Sequence, residues 1–414
     1  MTPRTLLMAG AISIGTVAPA LAQDTVTLQF WEGHSVQEEA ATIEMIKAFE
    51  DSHPNIKINR TKVSFGTNFE KITTAVASNT LPDVSPIWGG FLTQFAASGQ
   101  LLDLRQYGVE DMQEGIYPGA WSFGEWQGGV YGVPYAFDAR FIAYNKQAFE
   151  EAGIAQPPQT YDELYADAEK LTKKNGNTVE QYGLGIGGAD ALVNFYVNLL
   201  YSFGGKIFND DETQLAIDSD AGIKAAEYLS KLAESGYVSY GGSTGDDLRN
   251  SVITGRVAMI HDGPWIFYAE QQANADHPVA VAPMPVVKQG EKSVNFGSVG
   301  AYVVYKSSQH PKEAAEFVKF MGSPEAQQYR VKLLKTGVAT NVSEQPVAIE
   351  TYKEWPELKT AQEALNGSQI FPTSAKWPRA FQIILPAAEA IMEGDDPQST
   401  VESAVRQASR QLRR

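Results

Sequence analysis

The chain has 414 residues, 43% hydrophobic and 20% charged, proportions of a soluble globular protein rather than of a fibre or a disordered tail, and at roughly 150 residues per domain the length allows two to three domains. Forty-nine acidic against thirty-three basic residues give a formal net charge of −16, which repels phosphate backbones and anionic lipid surfaces and argues against a nucleic-acid partner. The absence of cysteine excludes disulfides, thiolate nucleophiles, Cys-based metal or iron–sulfur centres and a lipidated cysteine anchor.

In chain order, Arg4 precedes an apolar stretch from Leu6 to Ala18, and Ala20-Leu21-Ala22 forms a small-x-small cleavage signature ahead of Gln23. Residues 1–22 therefore read as a secretory signal peptide. The stretch is short for a bilayer span, and no later window holds eighteen uninterrupted apolar residues. Cleavage removes one arginine and no acid, leaving 32 basic against 49 acidic residues, a net charge of −17. An exported, disulfide-free, unlipidated chain is expected in a Gram-negative periplasm.

Strands and helices then alternate. Val26 to Trp31 reads as a strand, and Gln37 to Asp51 as a helix with Ala40, Ile43, Ile46 and Phe49 on its apolar face. His53-Pro54 stops that helix. A strand over Ile56 to Val63, a helix through Phe69, Ile72, Val76 and Ala77, a buried strand over Asp83 to Trp88 and a helix over Phe91 to Ala97 follow. Such alternation predicts an α/β fold with mostly parallel sheets flanked by helices and ligand crevices beyond the carboxyl ends of the strands. A second alternating block starts near Val130, where Thr160-Tyr161-Asp162-Glu163 has the form of a capping box. Helical patterns follow over Leu192 to Phe203, Ala221 to Glu234, Lys312 to Phe320 and Phe381 to Met392. Pro283-Met284-Pro285 and Gly337 to Asn341 look like crossings between two lobes.

Three enzyme-like patterns are weak in this context. Gly241-Gly242-Ser243-Thr244-Gly245 matches G-x-S-x-G, with His261, His277 and His310 downstream. A nucleophile elbow needs a strand before the turn and a helix after it, whereas this stretch is expected to follow a helix ending near Gly236 and reads as a loop. Gly183, Gly185 and Gly188 match G-x-G-x-x-G, but Tyr182, Leu184 and Ile186 alternate through them like a strand. The five histidines lack metal-site spacing. Neither cofactor nor metal is implied.

What remains is an aromatic and polar set in loops after strands: Glu32 and His34 beside Trp31, Trp88 with Gly89, Asp138 and Arg140 at a turn, Trp265 in Gly263-Pro264-Trp265, and Trp377 with Arg379. Aromatic faces pack on the C–H faces of sugar rings while carboxylates and guanidinium groups take the hydroxyls. The mixture suits a carbohydrate. A periplasmic glycoside hydrolase using Glu32 and Asp138 as acid and base is the distant alternative.

In sequence order the chain carries Leu28-Gln29-Phe30-Trp31, Leu81-Pro82-Asp83-Val84, Tyr131-Gly132-Val133-Pro134, Tyr144-Asn145-Lys146, Pro157 to Leu164, Gly255 to Met259, Gly263-Pro264-Trp265 and Ala314-Ala315-Glu316-Phe317. This series resembles the extracellular solute-binding proteins of family 1, the maltose-binding-protein-like receptors of carbohydrate ABC importers. The resemblance implies a type II periplasmic-binding-protein-like fold with two lobes closing on sugar, no catalysis, a small-molecule carbohydrate as ligand, and permease subunits with their ATPase as partners; a monomer is expected. It implies an N-terminal lobe of residues 23–137 with 286–338 and a C-terminal lobe of residues 138–285 with 339–414. By similarity Trp265 and Trp377 stack on sugar and Asp138 accepts its hydroxyls. Glu32, His34, Trp88 and Gly89 line the first lobe and Asn194 and Phe195 the second, with Gly297 and Ser298 offering backbone donors. A neutral di- or oligosaccharide is expected; a sugar acid or a phosphorylated or sulfonated sugar stays open through Arg140 and Arg379, and a non-sugar solute such as a polyol or glycerophosphodiester is a further alternative.

Overall fold

A computed structural model describes residues 25–32, 38–63, 65–88, 91–241, 245–274, 276–363, 365, 369–370 and 374–411. The expected signal peptide, His34, Gly89 and Ser243 lie outside these residues. The strands are β1 (Val26–Glu32), β2 (Ile56–Lys62), β3 (Val84–Trp88), the hairpin β4 (Glu125–Trp126) and β5 (Gly129–Val130), β6 (Val133–Ala139), β7 (Phe141–Asn145), β8 (Lys173–Asn175), β9 (Thr178–Ile186), β10 (Val238–Tyr240), β11 (Val257–Asp262), β12 (Val279–Ala282), β13 (Phe296–Val304) and β14 (Gln369–Ile370).

Among the described residues these strands form two six-stranded sheets. One runs β14-β13-β3-β1-β2 with β6 also on β13; the other runs β10-β9-β11-β7-β12 with β8 on β9. Both are mixed, which corrects the expectation of mostly parallel sheets. The β1–β2, β1–β3, β9–β10 and β9–β11 pairs are parallel and connected through helices, as the alternation required. The strands that carry the chain between sheets run the other way: β13 is antiparallel to β3 and β6, and β7 to β11 and β12. A chain that passes directly from one sheet to the next has no crossover helix to restore its direction.

Sheet membership places the first crossing at Arg140, the single residue between β6 and β7. Asp138 thus belongs to the first sheet, not to the second lobe where the expected boundary put it. The return runs between β12 and β13, and its early part still joins the second lobe through a bridge from Thr160 to Val286. Beyond the anticipated crossing at 337–341 the chain comes back once more, because β14 pairs with β13 before the helix Trp377–Met392 packs into the second core. Among the described residues no helix is long and apolar enough to cross a membrane.

Local reasoning explains most elements and its failures are specific. The helix Glu39–Ser52 buries Ala41, Thr42, Met45, Ile46 and Phe49, whereas Ile43, expected on that face, is exposed; the true stripe is turned by about one residue. The capping box at Thr160 is present, with the Glu163 N–H donating to Thr160 Oγ1 at 3.2 Å and the Thr160 N–H to Glu163 Oε2 at 3.2 Å. The G-x-G-x-x-G glycines lie in and just after β9, and Gly183 is required by packing: a Cβ there would stand 1.9 Å from the Ala168 carbonyl oxygen. The expected context of G-x-S-x-G is overturned, because β10 precedes the turn and the helix Gly245–Ile253 follows it. The preceding helix ends at Glu234, left-handed Gly236 turns the chain, and three residues then pair with β9. Gly183→Ala is expected to destabilise the fold by ~1–3 kcal/mol through overpacking, read as a lowered urea midpoint with unchanged slope.

Candidate functional site

The first-lobe half of the site is set by the register of β13. Gly300 pairs with Trp88 of β3 on one side and Ala136 of β6 on the other, and Ser298 pairs with Asp138. Directly paired residues share a face, as do residues two apart along a strand. Trp88, Ser298 and Asp138 therefore stand on one face of the sheet. Gly300 makes room for the indole, since a Cβ there would meet the Trp88 ring at 2.8 Å. Tyr135 closes the ring edge-on at 5.6 Å between centroids and stacks on Tyr302 at 4.1 Å.

Asp138 is 2% exposed and accepts a hydrogen bond from Thr336 Oγ1 at 3.1 Å. Burial pushes its carboxyl up to about 6 against the pull of Arg140 and Arg330, with Glu38 adding to the push. Arg330, itself buried, donates from Nη2 to Glu38 Oε1 at 2.8 Å and lies over the Tyr135 ring at 4.8 Å.

The second-lobe half lies at the carboxyl end of β11. Asp262 takes Arg249 in a two-pronged pair, Nε to Oδ2 at 2.7 Å and Nη2 to Oδ1 at 3.0 Å, while Arg249 Nη1 donates to Asp246 at 2.9 Å. Trp265 opens the helix Trp265–Gln272 and is partly exposed. The Arg140 guanidinium carbon lies 4.4 Å and that of Arg249 5.4 Å from its ring centroid. The ring crosses Gly263 so closely that a Cβ there would stand 2.4 Å from Trp265 Cζ3. His261, on β11, is held neutral because burial and, secondarily, the Arg140 charge push its imidazole down to about 3.

Several expected ligand residues sit elsewhere. Glu32 is buried in an ion pair with Arg60 at 2.9 Å. Phe195 is fully buried in the second core, edge-on to His261 at 5.2 Å, and forms a wall behind the site rather than a surface in it. Asn194 is buried on the same helix, Asp190–Ser202. Trp377 is only 7% exposed and packs edge-on to Phe381, so its ring belongs to the core in this arrangement, while Arg379, two residues on in the same turn, is exposed. Gly297 is buried in the sheet, between Ala139 and Ile370. Thr336, Arg330, Glu38, Arg249 and Asp262 were not singled out from the sequence. Asp262 alone had a local signal, its place immediately before Gly263-Pro264-Trp265.

Residues 33–328 match the family model described as bacterial extracellular solute-binding protein. The chain belongs to that family. Its members are extracellular solute-binding proteins, a role without catalysis. The chain is similar to the maltotriose-binding protein of Pyrococcus abyssi, 25% identical over 82% of this chain and 71% of that one. Among solved structures it is similar to the GacH receptor of Streptomyces glaucescens, known unliganded and with acarbose (25% identity, TM-score 0.80, 94% of this chain and 98% of that one). It is also similar to an ABC transporter solute-binding protein of Thermotoga lettingae bound with α-D-tagatose (26% identity, TM-score 0.81, 94% and 100%).

Two outcomes follow from this geometry. A hydroxyl donating to Asp138 is held more strongly by the charged carboxylate than by the protonated acid, so affinity in a titration series is expected to fall as pH drops through about 6. Holding the carboxyl above its unfolded value of about 3.9 costs native stability above pH 6, and the cost is relieved as pH falls through that value. Asp138→Asn is therefore expected to weaken binding at pH 7 while raising the melting temperature. Gly263→Ala is expected to displace Trp265 and to lower affinity several-fold with the far-UV spectrum unchanged.

Proposed function

We propose that this protein is the substrate-binding component of a carbohydrate ABC importer, capturing a neutral di- or oligosaccharide between its lobes and presenting the closed form to the membrane permease and its ATPase. The observation that carries the reading is the shared sheet face on which Trp88, over Gly300, stands beside the buried acceptor Asp138, with partly exposed Trp265 on the second lobe. Aromatic planes with an adjacent hydroxyl acceptor match a sugar ring's two kinds of surface. The maltotriose, acarbose and α-D-tagatose of similar proteins belong to the same hydroxyl-rich chemistry.

Charge pairing favours a neutral ligand. Arg330 is matched by Glu38 and Arg249 by Asp262 and Asp246, and the excess acid of the whole chain disfavours anions at long range. No bond of the ligand needs to change: a solute bound more tightly by the closed form shifts the lobes toward closure. An affinity near 1 μM corresponds to about −8 kcal/mol, within reach of one or two stacked rings and several hydrogen bonds after closure costs.

The test is calorimetric titration of the signal-peptide-free protein, stripped of ligand by denaturation and refolding, against neutral sugars, polyols and sugar acids. One-to-one binding of a neutral sugar without turnover is expected, with at least a tenfold loss in Trp265→Ala. Binding of anionic sugars alone, or unchanged affinity in a folded Trp265→Ala variant, contradicts the reading.

A further inference from the structure

Arg140 occupies two places at once. Its backbone is the crossing between the sheets, and its N–H donates to the Phe296 carbonyl at 2.9 Å, tying the first crossing to the residue at which the second enters β13. Its side chain reaches the second lobe, where the guanidinium lies 4.4 Å from the Trp265 ring centroid. Gly263 is the point of closest approach for both: a Cβ on it would stand 2.8 Å from Arg140 Nη1 as well as 2.4 Å from Trp265 Cζ3. Arg249, fixed by Asp262 and Asp246, holds the same indole at 5.4 Å. A planar guanidinium against an indole restricts the ring in a way that a flexible ammonium does not.

We propose that Arg140 is a positioning residue that sets the Trp265 platform from the crossing strand, so that the ring on which sugar stacks is registered to the hinge about which the lobes close. This rests on the stacking role of Trp265. It differs from direct recognition of ligand by Arg140, because at a pH well above the Asp138 titration, where the Arg140 pull on that carboxyl no longer changes its charge and where the titrations are run, Arg140 acts only through Trp265 and its removal costs nothing further once that ring is gone. Contacts in one chain of dependence give non-additive losses, whereas two independent ligand contacts multiply.

The experiment has two arms, both on the signal-peptide-free protein. In the first, near-UV circular dichroism without ligand isolates the Trp265 band as wild type minus Trp265→Phe. That band is expected to collapse in Arg140→Met and to recover in part in Arg140→Lys, with far-UV spectra unchanged throughout. In the second, calorimetric titrations with maltotriose, D-tagatose and acarbose compare wild type, Arg140→Met, Trp265→Ala and the double variant. For a sugar that binds wild type, Arg140→Met is expected to lose about tenfold and the double variant to bind no more weakly than Trp265→Ala. Multiplying losses, or an unaltered Trp265 band in Arg140→Met, overturns the proposal. A Trp265→Ala variant that binds like wild type removes the stacking reading instead, and the spectroscopic arm still reports on the Arg140–Trp265 contact.

Discussion

A single residue, Arg140, separates the last position of one sheet from the first position of the other, and most of the site follows from that constraint. A strand that leaves one sheet and enters the next without a loop joins the two sheets at one point, from β6 to the inner strand β7. Asp138, two residues before the crossing, is buried at the seam with Thr336 of a later crossing as its donor. The return strand β13 lies beside β6 in register, which aligns Gly300 with Trp88 and Ser298 with Asp138. The first sheet thereby carries Trp88 and Asp138 on one face, and the second lobe carries Trp265 after β11.

Electrostatics at the seam differs from that of the surface. The exterior is strongly acidic, while Arg330 near Asp138 pairs with Glu38 and Arg249 beside Trp265 pairs with Asp262. Matched buried charges contribute orientation more than net field. On the proposed reading, Asp138, whose carboxyl burial pushes up to about 6, selects by hydrogen bonding rather than by long-range attraction. The arrangement is suited to an uncharged, hydroxyl-bearing solute that has to be released again.

Local order was legible in the sequence wherever the cause was local. The Thr160 capping box, the strand through Gly183 and Gly185 and the strand–helix alternation all depend on residues within one or two turns of each other. Trp88, Asp138 and Trp265 were singled out as loop residues after strands and by the family resemblance, whereas Trp88 ends β3 and Asp138 lies within β6. What was missed depends on distant partners. Arg330 meets Glu38 across 292 positions and Thr336 meets Asp138 across 198, separations with no trace in a local pattern. Phe195 and Trp377 look like ligand platforms by residue type, yet the second core covers both. The strand before Gly241 has only three residues and exists because β9 is there to pair with it.

The central claim is that a neutral sugar draws the two sheets together about the Arg140 crossing. Small-angle X-ray scattering of the ligand-stripped protein, with and without a neutral sugar that binds it calorimetrically, tests this most directly. A saturable decrease in radius of gyration, with the sugar recovered intact, is the predicted result. Tight binding with no change in the scattering curve would contradict closure about the Arg140 crossing.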